Sequence, residues 1–182
     1  MSAMGAIGNI AFVMGLVQVS QRLGLDETPE RVMYLRNAFG VAQAVVLLLL
    51  FGLKSKINTK NEKTPVTYTP SPSPGQATET KTVTTRDYDL IQQNAAVKQH
   101  LISLALIAVL HLYFGMVQPL FLQIFMPIKT LVTSPLFQIH YLGWEATEAR
   151  KRPFPTPSPF GVPQADPAAD KQDAKKETKK TK

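Results

Sequence analysis

VMYLRNAFGVAQAVVLLLLFGL, Val32 to Leu53, decides which solvent this chain is built for. At its centre Val45 to Phe51 (VVLLLLF) has no polar side chain, so no face of a helix there is suited to water. A helix needs about 20 predominantly apolar residues to cross the roughly 30 Å hydrocarbon core, and this stretch supplies them. Just upstream, Thr28-Pro29 reads as an N-cap followed by proline at the first helical position. Just downstream, Lys54, Lys56, Lys60 and Lys63 stand against Glu62 alone and mark the cytosolic side by the positive-inside rule.

Toward the amino terminus, Met1 to Gln21 carries no charged side chain, and Met4 to Val19 is just long enough to span. The basic n-region of a signal peptide is missing and another apolar segment follows, so the stretch reads as an uncleaved first span. The connector Arg22 to Arg31 then faces the lumen or exterior, and the amino terminus lies in the cytosol.

Toward the carboxyl terminus, Thr64 to Thr85 is rich in Pro, Thr and Ser, with Thr-Pro-Ser-Pro-Ser-Pro-Gly at Thr69 to Gly75. It has too little apolar surface to offset the entropy of ordering and is expected to be a mobile loop. A third apolar segment runs through Leu101 to Val117 and meets Pro119. Leu120 to Phe125 is apolar again before Pro127, Lys129 and Pro135 interrupt. Either the third helix kinks at Pro119 and continues, or it ends there and a short re-entrant or interfacial segment returns. The Arg150-Lys151-Arg152 cluster favours the return, since it brings those charges back to the cytosolic face. Prolines from Pro153 to Pro167 and lysines from Lys171 to Lys182 predict a solvated tail.

The expected fold class is therefore an all-α membrane protein. It has three transmembrane helices plus a fourth, shorter, Pro-interrupted membrane or interfacial element, with a disordered cytosolic loop and tail. Residues 1–53 form a hairpin of two spans and 54–96 a basic Pro/Thr/Ser-rich cytosolic loop. Residues 97–149 hold the third span and the return segment, and 150–182 the basic Pro/Lys-rich tail. The composition agrees: 45% of the 182 residues are hydrophobic, an ordinary share, but nearly all the aliphatic ones fall into Ala3 to Ser20, Val32 to Leu53 and Val97 to Val117. A net charge of +7 suits nucleic acid, anionic lipid or ribosome without choosing among them, and the absence of cysteine excludes thiolate chemistry.

Ionisable and amide side chains inside apolar segments are costly and are the candidate functional residues. Arg36 lies about two turns inside the second helix, where its guanidinium either snorkels to the lumenal headgroups or lines a hydrophilic groove with Gln43, seven residues on and on the same face. In a continuous third helix His100, His111 and Gln118, spaced 11 and 7 apart, fall within roughly 20° of one stripe. The stripe is either a hydrophilic groove or polar glue between helices. Three histidines with no carboxylate between His100 and Gln118 make a poor metal set, and no phosphate loop, nucleophile elbow or paired catalytic carboxylate appears. The chain does not read as an enzyme, and no cofactor is expected.

Thr84-Thr85-Arg86-Asp87-Tyr88-Asp89-Leu90, His111-Leu112-Tyr113, Pro119-Leu120-Phe121 and Lys151-Arg152-Pro153-Phe154, in that order, carry a family resemblance. So do Pro29, Met33-Tyr34 and Arg36 upstream, and Pro157-Ser158 with Phe160-Gly161 in the tail. From about Asp26 to Gly161 the chain resembles the fungal family first named for inorganic phosphate transport. That family was later recognised as membrane component three of the signal-recognition-particle-independent (SND) targeting pathway. The Pro-rich run at Thr69 to Gly75 and the tail after Val162 fall outside the resemblance.

The resemblance implies a multi-pass protein of the endoplasmic reticulum membrane that works with the Sec translocon and ribosome on client membrane proteins. It suggests a polar intramembrane groove as the insertion path, here Arg36, Gln43, His100, His111 and Gln118. The basic residues Lys54, Lys56, Lys60, Arg150, Lys151 and Arg152 would then contact ribosomal RNA or anionic phospholipid. The older family name keeps phosphate transport, or the maturation of a transporter, as the alternative.

Overall fold

Thr28 caps the second helix as its sequence predicts: its hydroxyl accepts from Arg31 N, and Pro29 opens the helix. The computed structural model describes residues 3–25, 28–70, 80–147 and 150–154. Among these the order is α1 (Ala3–Leu23), α2 (Pro29–Lys60), β1 (Pro65–Tyr68), β2 (Lys81–Thr84), α3 (Thr85–Leu112), α4 (Gln118–Thr133) and α5 (Pro135–His140).

Two of these helices, α2 and α3, are long and apolar enough to cross a membrane. Their outer faces are uncovered: Leu48 is 71% exposed, Val41 66% and Leu106 58%. A water-soluble fold would bury such rows, so the solvent they fit is lipid.

Helix α3 does not kink at Pro119. It ends at Leu112, where Gly115 takes φ +67° and the Met116 amide donates to Leu110 O, a Schellman-type closure. Helix α4 then starts afresh with Pro119 in its first turn, where a missing N–H costs nothing. Contacts show that α4 returns along α3. Leu120 and Phe121 pack with Ile107 and Leu35, Gln123 reaches Ser103, and Leu131 and Phe137 pack in a cluster with Val97.

The stretch expected to be a structureless loop, 54–96, departs from that expectation at three places. Helix α2 runs on to Lys60, because Leu53 and Ile57 keep a buried stripe after the lysines begin, and it stops at Asn61 in the left-handed conformation. Strands β1 and β2 pair antiparallel, Val66 opposite Val83 and Tyr68 opposite Lys81, with Val66 and Tyr68 turned into a core. Helix α3 starts at Thr85, twelve residues before its apolar part, because Thr84 caps it: the hydroxyl accepts from Asp87 N and donates to the Asp87 carboxylate. Of the proline-rich run, Ser71 to Gly75 lies outside the described residues, as does the tail from residue 155 on.

These pieces form a small head against the ends of α2 and α3. Its core is Leu53, Ile57, Val66, Tyr68, Tyr88, Leu136, Ile139 and Phe154. The Tyr88 ring meets Tyr68 edge-on at 5.2 Å, and its hydroxyl accepts the Phe154 amide at 2.7 Å. The first residues of the expected tail are thus pinned into the head.

Candidate functional site

Three of the predicted groove residues stand in one polar seam where α2, α3 and α4 meet. Arg36 Nε donates to His111 Nε2 at 2.9 Å, joining α2 to α3. His111 Nδ1 lies 3.0 Å from Met116 O, which can only accept. The two bonds together require neutral imidazole with its proton on Nδ1. The turn closed by Gly115 thus supplies the carbonyl that orients the ring, and the ring orients the guanidinium.

Deeper in the seam Gln43 Nε2 donates to Gln123 O at 2.7 Å. The reason is a proline. Pro127 has no N–H to give the carbonyl four residues earlier, so Gln123 O loses its helical donor and Gln43 replaces it. The Gln123 amide in turn donates to Ser103 Oγ at 3.1 Å, closing a chain across all three helices. Toward the head, Gln93 Nε2 donates to Leu50 O at 3.1 Å and Tyr141 Oη to Leu49 O at 3.0 Å. A Cβ at Gly52 would run into the Tyr141 hydroxyl and push it from its place beside Leu49 O.

His100 is buried on the α3 face that also carries His111, but it joins no hydrogen bond, and its Nε2 is a buried atom without a partner. Gln93 Oε1 is another. Gln118 leaves the stripe expected of it. The 11 and 7 spacing assumes one continuous helix, and with α3 ended at Leu112 the residue becomes the exposed first position of α4.

The basic residues divide. Lys54, Lys56, Lys60 and Lys151 are exposed, with the Lys56 ammonium 5.1 Å from the Tyr141 ring centre and Lys60 3.7 Å from Glu62. Arg150 lies against Trp144 and donates to Glu145 O. Arg152 is not available as a surface contact: its side chain is 7% exposed and gives Nε and Nη2 to the two Asp89 oxygens at 2.8 and 2.6 Å. His140 Nε2 meets the same carboxylate at 2.8 Å. Burial alone pushes the Asp89 carboxyl up, but the hydrogen bonds from His140 and Arg152 and the Arg152 charge outweigh it and hold it below the ordinary carboxylate range. Burial likewise works against the Arg152 charge, and Asp89 more than restores it.

Asp89, His140 and Arg152 sit on α3, α5 and the segment after it, and sequence reading did not join them. The Thr84-x-x-Asp87 pattern could have signalled that Asp89 lies on a helix, but 54–96 reads as a loop. Nothing in the spacing of 89, 140 and 152 signalled their meeting. Among the described residues no three of His, Asp and Glu come together to hold a metal.

Apolar outer faces, a polar seam and a basic head define a mostly helical, membrane-associated protein. The chain matches the family described as Phosphate transport (Pho88) over residues 3–182, and it belongs to that family. It is 31% identical over 169 residues to SRP-independent targeting protein 3 of Saccharomyces cerevisiae, covering 91% of this chain and 89% of that one. It is 30% identical over 153 residues to the SRP-independent targeting protein 3 homolog of Schizosaccharomyces pombe, covering 82% and 76%. These names describe targeting and transport rather than catalysis. No solved structure matches the chain.

Proposed function

We propose that this chain is a multi-pass protein of the endoplasmic reticulum membrane that serves SRP-independent targeting. In this reading it receives membrane-protein clients with the Sec translocon and ribosome and lowers the cost of moving their polar flanks along the α2–α3–α4 seam. Helices α1, α2 and α3 are its three spans, and α4 with α5 is the fourth, returning element.

The observation that carries this reading is the Arg36–His111 pair. Arg36 is an exposed cation on an apolar helix, held by a neutral ring, and among the described residues no carboxylate gives it the return of an ion pair. Polar glue alone needs no charge. The two buried atoms without partners, Gln93 Oε1 and His100 Nε2, also favour a seam open to other polar groups over one that is only a structural bond set. The exposed Lys54, Lys56, Lys60 and Lys151 suit a phosphate-rich partner such as ribosomal RNA or anionic lipid.

The test is insertion of a membrane-protein client into proteoliposomes. The double variant Arg36→Leu with His111→Leu should keep wild-type abundance and slow insertion about tenfold, a loss of roughly 1.4 kcal/mol of path stabilisation. Normal insertion by the stable double variant would sink the groove. The topology is checked by glycosylation acceptors beside Thr28 and after Val162: only the first should be modified, and modification of the second contradicts a returning α4.

Phosphate transport, or the maturation of a transporter, is the alternative that the family description favours. It predicts Arg36-dependent phosphate uptake by the same proteoliposomes in the absence of any client. Arg36 and Lys129 would be its anion contacts, but Lys129 is already engaged, with Asn9 Oδ1 at 2.8 Å and the Phe12 ring centre at 4.1 Å.

A further inference from the structure

Arg36, an exposed cation on an apolar helix, has no counter-charge among the described residues. Helix α2 carries no carboxylate between Glu30 and its end, α3 none after Asp89 and α4 none. Glu30 is six residues away, about 600° around the helix, and so on another face. Among the described residues no carboxylate pairs with Arg36, and its two Nη groups have no hydrogen-bond partner. Lys129 on α4 differs in that an amide and an aromatic ring hold it.

The geometry also says what shape of anion fits. His111 takes Nε, which removes the side-on fork and leaves the end-on pair of Nη groups. That pair matches two oxygens of a phosphate or carboxylate. The level of the site narrows the source. From Arg36 to Lys54 is 18 residues, or about 27 Å along α2. With Lys54 at the cytosolic edge of a roughly 30 Å core, Arg36 lies just inside the opposite edge. Tyr34, two residues before Arg36, and Tyr113 and Phe114, two and three residues after its partner His111, are 68%, 82% and 62% exposed and mark an interfacial aromatic belt. The anion found at that level in every bilayer is the phosphodiester of a lipid headgroup.

We infer that Arg36, oriented by His111, is a binding site for the phosphate of one phospholipid in the leaflet opposite the head. Arg36 is the binding residue, and His111 and the Gly115 turn are positioning residues. The bound lipid supplies the missing counter-charge and anchors the lumenal ends of α2 and α3. This inference rests on α2 and α3 spanning the bilayer.

The experiment uses the full chain, delipidated in a maltoside detergent and titrated with dioleoylphosphatidylglycerol while native mass spectra count bound lipid. The wild type should take up one lipid saturably. Arg36→Gln should weaken that binding at least about tenfold with an unchanged melting temperature. Should that variant not fold, Arg36→Lys carries the test: it keeps the charge, lacks the fork and should still lose about threefold. His111→Leu should also weaken binding, and His111→Gln, whose amide oxygen can accept from Nε, should restore most of it. Dioleoylglycerol, which has the tails without the phosphate, should bind the wild type and Arg36→Gln alike.

Lipid binding by Arg36→Gln within twofold of the wild type overturns the site. Displacement of the lipid by millimolar inorganic phosphate overturns the lipid assignment and makes this a free-phosphate site. The outcome is separable from that of the proposed function. Loss of the lipid site with Arg36-dependent insertion intact sinks only the lipid, whereas a lipid site with Arg36-independent insertion sinks only the groove.

Discussion

Arg152 and Arg36 are two arginines partnered in opposite ways, the first with a buried side chain and the second exposed. Arg152, in the head, makes two charge-assisted bonds to Asp89, which is itself 1% exposed and held by His140. Arg36, in the seam, has one bond to a neutral imidazole and, among the described residues, no carboxylate. In the head the charges answer each other and fix where the polypeptide leaves toward the tail. In the seam a charge is retained with no carboxylate among the described residues to balance it. The first arrangement serves the fold, and the second leaves the two Nη groups of an exposed guanidinium open to the outside partner proposed above.

The comparison breaks most readily at Asp89. Asp89→Leu leaves Arg152 buried and unpaired and should cost roughly 3 to 5 kcal/mol, read as a lower denaturation midpoint and faster tryptic cleavage at Arg150 and Lys151. Adding Arg152→Leu should recover most of the loss, because the penalty is the orphaned charge and not the missing attraction. If the single variant is as stable as the wild type, the head is not clipped by this pair. Acid should act on the same bond. The folded Asp89 carboxyl lies below its ordinary value, so its contribution is fully present above about pH 3.9 and is lost as pH falls through the lowered value. Tryptic cleavage is slow in acid, so hydrogen exchange of the Phe154 amide is the readout. Its protection should hold down to the ordinary carboxylate range and fail below it.

These two arginines also show what a sequence discloses. Arg36 was legible because a charge inside an apolar run is conspicuous at any register, and Val45 to Phe51 placed that run in lipid without help from tertiary structure. The Asp89–Arg152 clip was not legible, because its members are 63 residues apart and each sits in polar sequence where charges are unremarkable. The hairpin was hidden for a related reason. Four-residue strands in a Pro/Thr/Ser-rich stretch carry little signal, and their order comes from Tyr88 and Phe154, which the chain delivers from elsewhere. Gln118 was misplaced because a helical stripe was extended across a Gly115 turn, where helical spacing no longer applies.

A middle case sharpens the contrast. Gln43 is uncharged and its amide nitrogen is engaged, by a partner that exists because Pro127 leaves Gln123 O without a helical donor. If it is glue, Gln43→Leu should cost about 1 to 2 kcal/mol of stability, in line with amide bonds between membrane helices. Pro127→Ala restores the N–H, so the same substitution in that background should cost measurably less. Equal costs in both backgrounds would show that Gln43 acts on something other than the freed carbonyl.

The smallest expected change in stability is at Arg36 itself, and it discriminates best. Arg36→Leu removes an unbalanced cation and leaves His111 Nε2 without a donor. The first effect favours the folded bundle and the second opposes it. An unfolded chain still in the membrane carries much of the same cost of the charge, so the two should nearly cancel. The midpoint of unfolding in mild detergent should therefore move by less than about 1 kcal/mol, against several for Asp89→Leu. A loss comparable to that at Asp89 would mean that Arg36 holds the helices together, and the distinction between a charge kept for the fold and a charge kept for an outside partner would fail. A near-zero change accompanied by slower client insertion would place the purpose of Arg36 outside the fold.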